Sequence, residues 1–261
     1  MTALLDPAER TARGLALQAD VTATPAPTAA TPVQESWRDF VYAEVWSRPG
    51  MDRRARFLVS IAGAVIANAE AAILDGYLRG ALTGNVISLA ELREAALHIA
   101  VYAGWPKGQA LDNAVTRVAE ELGLAAASCP PIRAAAWDPA ARTSEGMAEF
   151  TTTMTFAGGP SISPFLEAIN NFVFGEMWCR SGLDQRSRRW LTLVGVCESC
   201  ADTPIRSHIY AAMASGNCTP DEMQEFVLQY GIHAGWPKAS VIQGVVWAMS
   251  KNFAAGLPWN A

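Results

Sequence analysis

Ala103-Gly104-Trp105-Pro106-Lys107 occurs twice in this sequence, because it returns as Ala234-Gly235-Trp236-Pro237-Lys238, 131 positions later. Each copy follows a segment that opens with a capping box, Ser88–Glu91 in the first copy and Thr219–Glu222 in the second. In such a box the hydroxyl accepts from the third helical amide, and the glutamate accepts from the amide of the cap residue. Two copies of so specific an arrangement predict a tandem repeat.

A second block, upstream of the first, extends the repeat. Residues Glu44–Arg56 (EVWSRPGMDRRAR) align with Glu176–Arg188 (EMWCRSGLDQRSR) at an offset of 132. Since the capping boxes align at 131, the second copy has lost one residue, which we place between Gly216 and Thr219. Turns tolerate such deletions because their backbone is already solvated.

Composition and charge exclude several classes of function. The 261 residues are 51% hydrophobic and 17% charged, with a net charge of −5 and no basic run, which disfavours nucleic-acid binding. The most apolar run, Phe57 to Ala67, is about half the length that a membrane span requires. Residues 1–20 do not read as a secretory signal, and five cysteines with one close pair favour a reducing cytoplasm.

Helical patterns run through both copies, and no stretch shows convincing period-two alternation, so we predict an all-α fold of two tandem repeats. Asp52 is the predicted N-cap of one long apolar helix that runs from Arg54 to about Leu82. The predicted division of the chain has four parts: an extended or disordered N-terminal arm at 1–34, repeat one at 35–124, a connector at 125–160, and repeat two at 161–261. The arm is predicted from its Ala-Thr-Pro composition, and part of the connector, Ser144 to Phe150, is a further candidate helix.

Histidines distinguish the two repeats. His208 and His233 lie in repeat two, where repeat one has Gly76 (or Tyr77, with a one-residue shift) and Tyr102. Repeat one therefore lacks both imidazoles, which suggests one working half and one scaffold half. The third histidine, His98, aligns with Gln229 and is predicted to be structural.

Arginines open the central helix of each repeat, at Arg54 and Arg56 and again at Arg186 and Arg188. Positive charge in a first helical turn opposes the macrodipole, so a compensating anion is expected. One interpretation is an ion pair with the upstream Glu44 or Glu176. The other is an anionic substrate, because the guanidinium fork binds a carboxylate bidentately.

Tryptophans and cysteines each allow two interpretations. The tryptophans of the two Gly-Trp-Pro copies either line a pocket or fill the core between the repeats, and core is favoured. Cys197 and Cys200 would form a redox pair at an exposed, polarised helix end. Inside an apolar helix they would instead act as small buried hydrophobes.

These blocks resemble the carboxymuconolactone decarboxylase family. The matching residues in repeat two are Gly175–Trp178, Asp184, Arg186, Arg188, His208 with Gly216 eight residues later, and Ala234–Pro237. Repeat one matches except at the histidine, and together the repeats cover about residues 36–124 and 162–255. The resemblance implies an all-helical fold that assembles into rings, and hence a trimer of this tandem chain.

The resemblance also implies decarboxylation of a small carboxylated lactone such as 4-carboxymuconolactone, an activity in aromatic catabolism that uses no cofactor and no metal. A related cofactor-free lyase or isomerase acting on such a substrate is the same prediction in a broader form. In that reaction Arg186 would hold the carboxylate or the lactone carbonyl, His208 would return the proton, and Glu176 would orient either side chain. The predicted substrate-binding residues are Arg188, Trp178, His233 and Trp236.

A second branch of the family resembles alkylhydroperoxidase D, which places a Cys-x-x-Cys pair four and seven residues before the histidine. Here those positions are Pro204 and Ala201, and the branch's upstream glutamate is Arg189. A thiol-dependent redox protein that uses Cys197 and Cys200 is therefore an alternative prediction. A non-catalytic helical oligomer is another.

Overall fold

The computed structural model describes residues 5–132 and 138–261, and within them the chain is helical with no strand. The all-α prediction is confirmed. Two short helices, α2 and α8, continue directly as π-helical segments. The helices are α1 (Pro7–Thr22), α2 (Pro32–Ser36, π segment Trp37–Trp46), α3 (Arg53–Ile66), α4 (Ala71–Thr83), α5 (Leu89–Ala103), α6 (Trp105–Glu121), α7 (Pro139–Met154), α8 (Pro164–Ala168, π segment Ile169–Trp178), α9 (Gln185–Glu198), α10 (Asp202–Ala214), α11 (Pro220–Ala234) and α12 (Trp236–Ala254).

Most of the described part of the N-terminal arm is helical. This corrects the prediction of an extended or disordered arm at residues 1–34. Residues Pro7–Thr22 form α1, which Asp6 caps by accepting from the Ala8 amide, and its Val21 is completely buried. Gly14 lets α1 approach the π segment of α2 closely, because a Cβ there would lie 2.4 Å from the Arg38 carbonyl oxygen. The Ala-Thr-Pro composition describes only the stretch between α1 and α2.

The predicted connector contains the repeat-two copy of α1. Helix α7 begins at Pro139, 132 residues after Pro7, and its Gly146 meets the Asn170 carbonyl as Gly14 meets Arg38. Helix α7 contains the candidate segment Ser144 to Phe150. Each repeat is therefore one helix longer at its N-terminal side than the sequence pattern indicated.

The one-residue deletion lies in an earlier turn than predicted. Residues with a left-handed backbone conformation mark equivalent turns in the two repeats. Asn68 and Cys200 are equivalent at an offset of 132, whereas Asn85 and Gly216 are equivalent at an offset of 131. The residue is therefore missing between Cys200 and Asp202, in the turn that separates α9 from α10. The same turn in repeat one divides the predicted helix Arg54–Leu82 into α3 and α4.

The two repeats pack through their central helices, α3 and α9, around one shared apolar core. Each central helix also receives the capped helix of the other repeat, so α5 packs on α9 and α11 packs on α3. Both capping boxes are complete, as predicted. Because of this exchange, the central helix of each repeat is covered in part by side chains from the other repeat.

Candidate functional site

Arg186 faces acidic partners and not His208, which contradicts its predicted role. Its guanidinium donates to Glu222 Oε1 at 2.5 Å, to Asp52 Oδ2 at 2.6 Å and to the Asn217 carbonyl. These partners raise the pKa of Arg186, with the hydrogen bond to Glu222 as the largest cause. Its repeat-one equivalent, Arg54, binds Glu91 and Asp184 in the same way. Arg186 therefore fastens α9 to α11 and to repeat one.

Arg188 is also occupied by the protein. It is fully buried, and it donates to the Arg180 and Leu183 carbonyls and, at 3.4 Å, to Glu94 of repeat one. Glu94 receives a second and shorter bond from Arg180 Nη2, at 2.5 Å. Neither predicted arginine of α9 is thus available to hold a substrate carboxylate as its main partner.

Glu176 forms an ion pair with Arg142 of α7, and its equivalent Glu44 pairs with Arg10 of α1. The predicted pairing of these glutamates with the arginines of α3 and α9 is therefore wrong. The carboxylates that compensate those arginines come from α5 and α11 instead. Sequence reasoning missed α1 and recognised only Ser144 to Phe150 of α7, and it therefore missed the partners of the two glutamates.

His208 lies beside an arginine that the sequence reasoning did not select for binding. Arg189 Nη1 is 3.4 Å from His208 Nδ1, and both side chains are buried. Burial, followed by the charge of Arg189, lowers the pKa of His208 to about 3. The imidazole is therefore neutral at pH 7.

Aromatic and hydroxyl groups from both repeats enclose this pair. The Arg189 guanidinium lies 5.1 Å over the ring of Trp178, whose Nε1 donates to the Tyr102 hydroxyl at 2.7 Å. Tyr102 in turn meets His208 edge-on, with centroids 5.7 Å apart. We call the following residues the Arg189–His208 cluster: Arg189, His208, Trp178, Tyr102, His98 and Thr192, the last two joined by a 2.8 Å hydrogen bond. It brings the predicted residues His208 and Trp178 together.

Arg189 is distinguished by its lack of a carboxylate partner among the described residues. The two other fully buried arginines, Arg56 and Arg188, both bind a glutamate. Arg189 instead donates to the Thr153 carbonyl at 2.5 Å and, weakly, to Asn217. Burial lowers its pKa to about 10. A buried cation without a counter-ion is costly, so the position is suited to an anionic ligand.

A sequence signal for Arg189 was present. The repeat-one equivalent of Arg189 is Phe57, so this is a position of the central helix at which only repeat two carries a charge. Arg186 and Arg188 have arginine equivalents in repeat one, as expected of residues that hold the repeats together. The difference between the repeats therefore singles out the buried arginine without a carboxylate partner, which their shared motif does not.

His233 belongs to a separate cluster in the other half. It lies 5.7 Å from Tyr77 and 6.2 Å from Trp37, ring centroid to ring centroid, and Tyr77 stacks on Trp46. Burial lowers the pKa of His233 to about 4. Because α10 aligns with α4 at 131, Tyr77 is the equivalent of His208, and this Tyr77–His233 cluster mirrors the Arg189–His208 cluster without its charge.

Trp236 lies at the surface, where it contacts Phe40 and lines an open groove of about 390 Å³ between α11 and α12. Trp247, which is 62% exposed, lines the same groove. The favoured interpretation of the Gly-Trp-Pro tryptophans as core is therefore wrong for Trp236, and also for Trp105, which is 60% exposed. Trp236 is not part of either histidine cluster.

Cys197 and Cys200 do not form a disulfide. Cys197 is buried near the end of α9, where burial raises the pKa of its thiol well above the ordinary value. Cys200 lies beyond the helix, exposed and in left-handed conformation. A raised thiol pKa disfavours the thiolate that redox chemistry needs.

The described part of the chain forms neither a metal-binding cluster nor a membrane-spanning helix. No group of three or more His, Cys, Asp or Glu side chains there is arranged to hold a metal ion. Over residues 5–132 and 138–261, no helix is both long enough and apolar enough to span a bilayer.

Both helical repeats match one known protein family. The model of the carboxymuconolactone decarboxylase family matches residues 31–117 and 163–245. The chain belongs to the carboxymuconolactone decarboxylase family, with two copies of the family unit in tandem.

Two curated relatives have decarboxylase names. A nitrosuccinic acid decarboxylase of Metarhizium robertsii is 41% identical over 75 residues, which are 29% of this chain and 51% of the relative. A 4-carboxymuconolactone decarboxylase of Acinetobacter baylyi is 40% identical over 86 residues, 33% of this chain and 63% of the relative. This chain thus matches between half and two thirds of the length of these relatives.

Proposed function

We propose that this protein is a decarboxylase of small carboxylic acids, with Arg189 as the carboxylate-binding group and His208 as the proton-transfer group. The observation that carries the proposal is the buried guanidinium of Arg189, which has no carboxylate partner among the described residues and touches His208. It replaces the sequence-based assignment of Arg186, whose hydrogen bonds go to Glu222, Asp52 and Asn217.

The names of the two relatives indicate the substrate class. 4-Carboxymuconolactone and nitrosuccinic acid both carry a carboxylate next to a group that accepts an electron pair. When the carbon–carbon bond breaks, carbon dioxide leaves and the pair stays on the remaining fragment, as a dienolate in one case and a nitronate in the other. A fixed positive charge in a buried site stabilises such an anion more than water does.

The proton must then reach the carbon that lost carbon dioxide. Arg189 Nη1 can donate to His208 Nδ1 only if that nitrogen is unprotonated, which places the proton of the neutral ring on Nε2. An anion bound at Arg189 offsets the positive field that helps to hold the His208 pKa at about 3. Substrate binding is therefore expected to raise the pKa of His208, so that the imidazole takes up a proton and delivers it to the carbanion.

Substrate entry requires a rearrangement of the partners of Arg189. The Thr153 carbonyl, at the end of α7, now accepts from its Nη2, and a substrate carboxylate would replace that bond. Tyr102 and Trp178, which lie against His208 and Arg189, would line the bound acid. Since Tyr102 and His98 come from repeat one, a decarboxylation site in repeat two needs both repeats.

A direct assay tests the proposal. The full chain is mixed with 4-carboxymuconolactone or with nitrosuccinic acid, and the release of carbon dioxide is measured. We expect release from at least one acid and a loss of about 10²- to 10⁴-fold in kcat for His208→Asn, because a positioned proton donor is removed. Tyr77→Phe, at the equivalent position of repeat one, is the matched control. No release from either acid, or an unchanged rate for His208→Asn, would contradict the proposal.

A further inference from the structure

Arg189 and His208 are both buried, so a ligand can reach them only when part of the surrounding structure opens. Arg189 is completely buried, and His208 is 8% exposed. Elements that open to admit ligands are drawn from the less stable parts of a fold. The last turn of α7 is the candidate element, because the Thr153 carbonyl in it accepts from Arg189 Nη2 at 2.5 Å. A ligand that takes this N–H must displace that carbonyl.

The equivalent helix end in repeat one is held by close packing. Val21, the equivalent of Thr153 at an offset of 132, places its carbonyl against Gly80 of α4, where an added Cβ would overlap the oxygen. The equivalent of Arg189 is Phe57, whose side chain has no polar hydrogen to donate. The end of α1 therefore rests directly on α4, and the central helix of its repeat contributes no guanidinium to it.

Repeat two cannot use the same packing. Ala211 replaces Gly80 in α10, at an offset of 131, and its Cβ fills the space that the Val21 carbonyl occupies in repeat one. Accordingly, α7 packs mainly on the π segment of α8, and it touches α10 much less than α1 touches α4. The hydrogen bond from Arg189 thus holds a helix end that is otherwise less firmly docked than its equivalent.

Two local features lower the free-energy cost of opening this turn. Met154 packs with Phe174 in a small apolar cluster that is separate from the shared core. Thr155 ends α7 in a left-handed conformation with φ 65°, which β-branched residues rarely adopt, whereas the equivalent Ala23 is not β-branched. A strained residue beside a satellite cluster is more easily rearranged than a residue of the main core.

A carboxylate at Arg189 would compete with the Thr153 carbonyl for the same N–H group. A charge-assisted hydrogen bond is roughly twice as strong as one to a neutral acceptor. A carboxylate therefore binds more tightly when the helix end has moved away, and a ligand shifts a two-state equilibrium by its difference in affinity for the two states. Opening also lets water reach a cation that is costly to bury.

We infer that the last turn of α7, residues 151–154, is a gate over the Arg189–His208 cluster. Arg189 holds the gate closed through the Thr153 carbonyl, and a carboxylate bound at Arg189 releases it. The end of α1 is the fixed counterpart in repeat one. The inference rests on the carboxylate-binding role proposed for Arg189, but it does not require that the bound acid be decarboxylated.

Hydrogen–deuterium exchange of the full chain, read by mass spectrometry, measures the opening of the gate. Peptides that span residues 150–156 report on α7, and peptides that span residues 18–24 are the internal reference in α1. Without ligand, Arg189→Gln should make exchange in 150–156 about tenfold faster relative to the reference, because the hydrogen bond to Thr153 is lost. Arg186→Gln is the matched control and should leave this ratio unchanged, since the bonds of Arg186 go to Glu222, Asp52 and Asn217.

Ala211→Gly is a second variant that keeps Arg189 in place. It copies Gly80 into repeat two, so the α7 end can pack on α10 as α1 packs on α4, and exchange in 150–156 should become slower. Circular dichroism checks that each variant is folded. Unchanged exchange in 150–156 in both Arg189→Gln and Ala211→Gly would overturn the gate.

Succinate is the carboxylate probe, and sodium chloride at equal ionic strength is its control. Succinate should speed exchange in 150–156 of the unmodified protein, although ligands usually slow exchange, and it should have no effect in Arg189→Gln. No response, slower exchange, or an equal response in 18–24 would overturn release by a carboxylate. None of these measurements depends on turnover. An intact exchange response without release of carbon dioxide would remove the decarboxylase proposal and leave the gate.

Discussion

Arg189, Arg186 and Arg188 are all arginines of α9, and they differ in the groups that their guanidiniums contact. Arg186 and Arg188 bind carboxylates of α5, α11 and the Asp52 cap, whereas the described partners of Arg189 are a carbonyl, an amide and an imidazole. Arg186 and Arg189 are three residues apart and lie on the same side of α9, so helical position does not show which of them meets an acidic neighbour. That information depends on how the repeats pack, so the sequence predicted an arginine beside a histidine but selected Arg186, whereas Arg189 is the arginine that contacts His208.

His233 provides a test of the buried, neutral imidazoles. Its pKa is about 4 in the folded protein, below the value of about 6.5 in the unfolded chain, so it opposes folding only when the unfolded state gains a proton. At pH 8 the ionisation of His233 should make no contribution to the unfolding free energy. As the pH drops below about 6.5, the unfolded chain gains a proton that the folded protein does not, and the unfolding free energy should fall.

The matching variant is His233→Gln. Both proteins should lose unfolding free energy between pH 8 and pH 5, and the loss should be roughly 1–2 kcal/mol smaller for the variant than for the unmodified protein. Urea denaturation at each pH measures the two losses. The pH 8 measurements serve as the internal control, since there both states carry a neutral ring. Equal losses for the two proteins would show that His233 is not buried as a neutral group.

Helix caps were the elements that the sequence predicted best. Ser88, Thr219 and Asp52 all cap the helices that follow them, because a cap is a local interaction among four neighbouring residues. Helix α1 was missed because the Ala-Thr-Pro composition of residues 22–32 was extended over the whole arm. The division between α3 and α4 was missed because left-handed Asn68 interrupts an otherwise continuous apolar pattern.

Close packing of α7 on the π segment of α8 gives a prediction at the level of elements. A Cβ at Gly146 would lie 1.8 Å from the Asn170 carbonyl oxygen, so Gly146→Ala must push the two helices apart. We expect it to lower the unfolding free energy by about 1–3 kcal/mol, measured by chemical denaturation.

Gly159→Ala is the control for this change, because nothing lies within 4 Å of the added Cβ. Its effect should stay within about 0.5 kcal/mol. Equal stabilities of the two variants would mean that α7 does not pack on α8 as described.

At the level of the whole molecule, buried ion pairs join the two repeats around their shared apolar core. Glu94 of repeat one accepts from Arg180 and Arg188 of repeat two, and Glu225 of repeat two accepts from Arg48 and Arg56 of repeat one. Tandem duplication was visible in the sequence, but this exchange was not, since it depends on contacts between residues far apart along the chain. The exchange also explains why each histidine cluster contains residues of both repeats.

Removal of one such carboxylate should affect the entire protein. Glu94→Gln leaves two buried guanidinium groups without their charge partner, so we expect a loss of about 3–5 kcal/mol in unfolding free energy. Glu121→Gln removes the partner of Arg79 at an exposed site and should cost about 1 kcal/mol or less. Thermal and urea unfolding measure both, and similar losses in the two variants would argue against the importance of the cross-repeat pairs.

The central claim is that Arg189, held in a site to which both repeats contribute, binds the carboxylate of the substrate. The most direct test compares kcat/KM for Arg189→Gln and Arg186→Gln, on the acid that the wild-type protein decarboxylates and well below the melting temperature of either variant. We predict a loss of about 100- to 1000-fold for Arg189→Gln and less than about tenfold for Arg186→Gln. Near-normal activity in Arg189→Gln, or an equal loss in Arg186→Gln, would contradict the account.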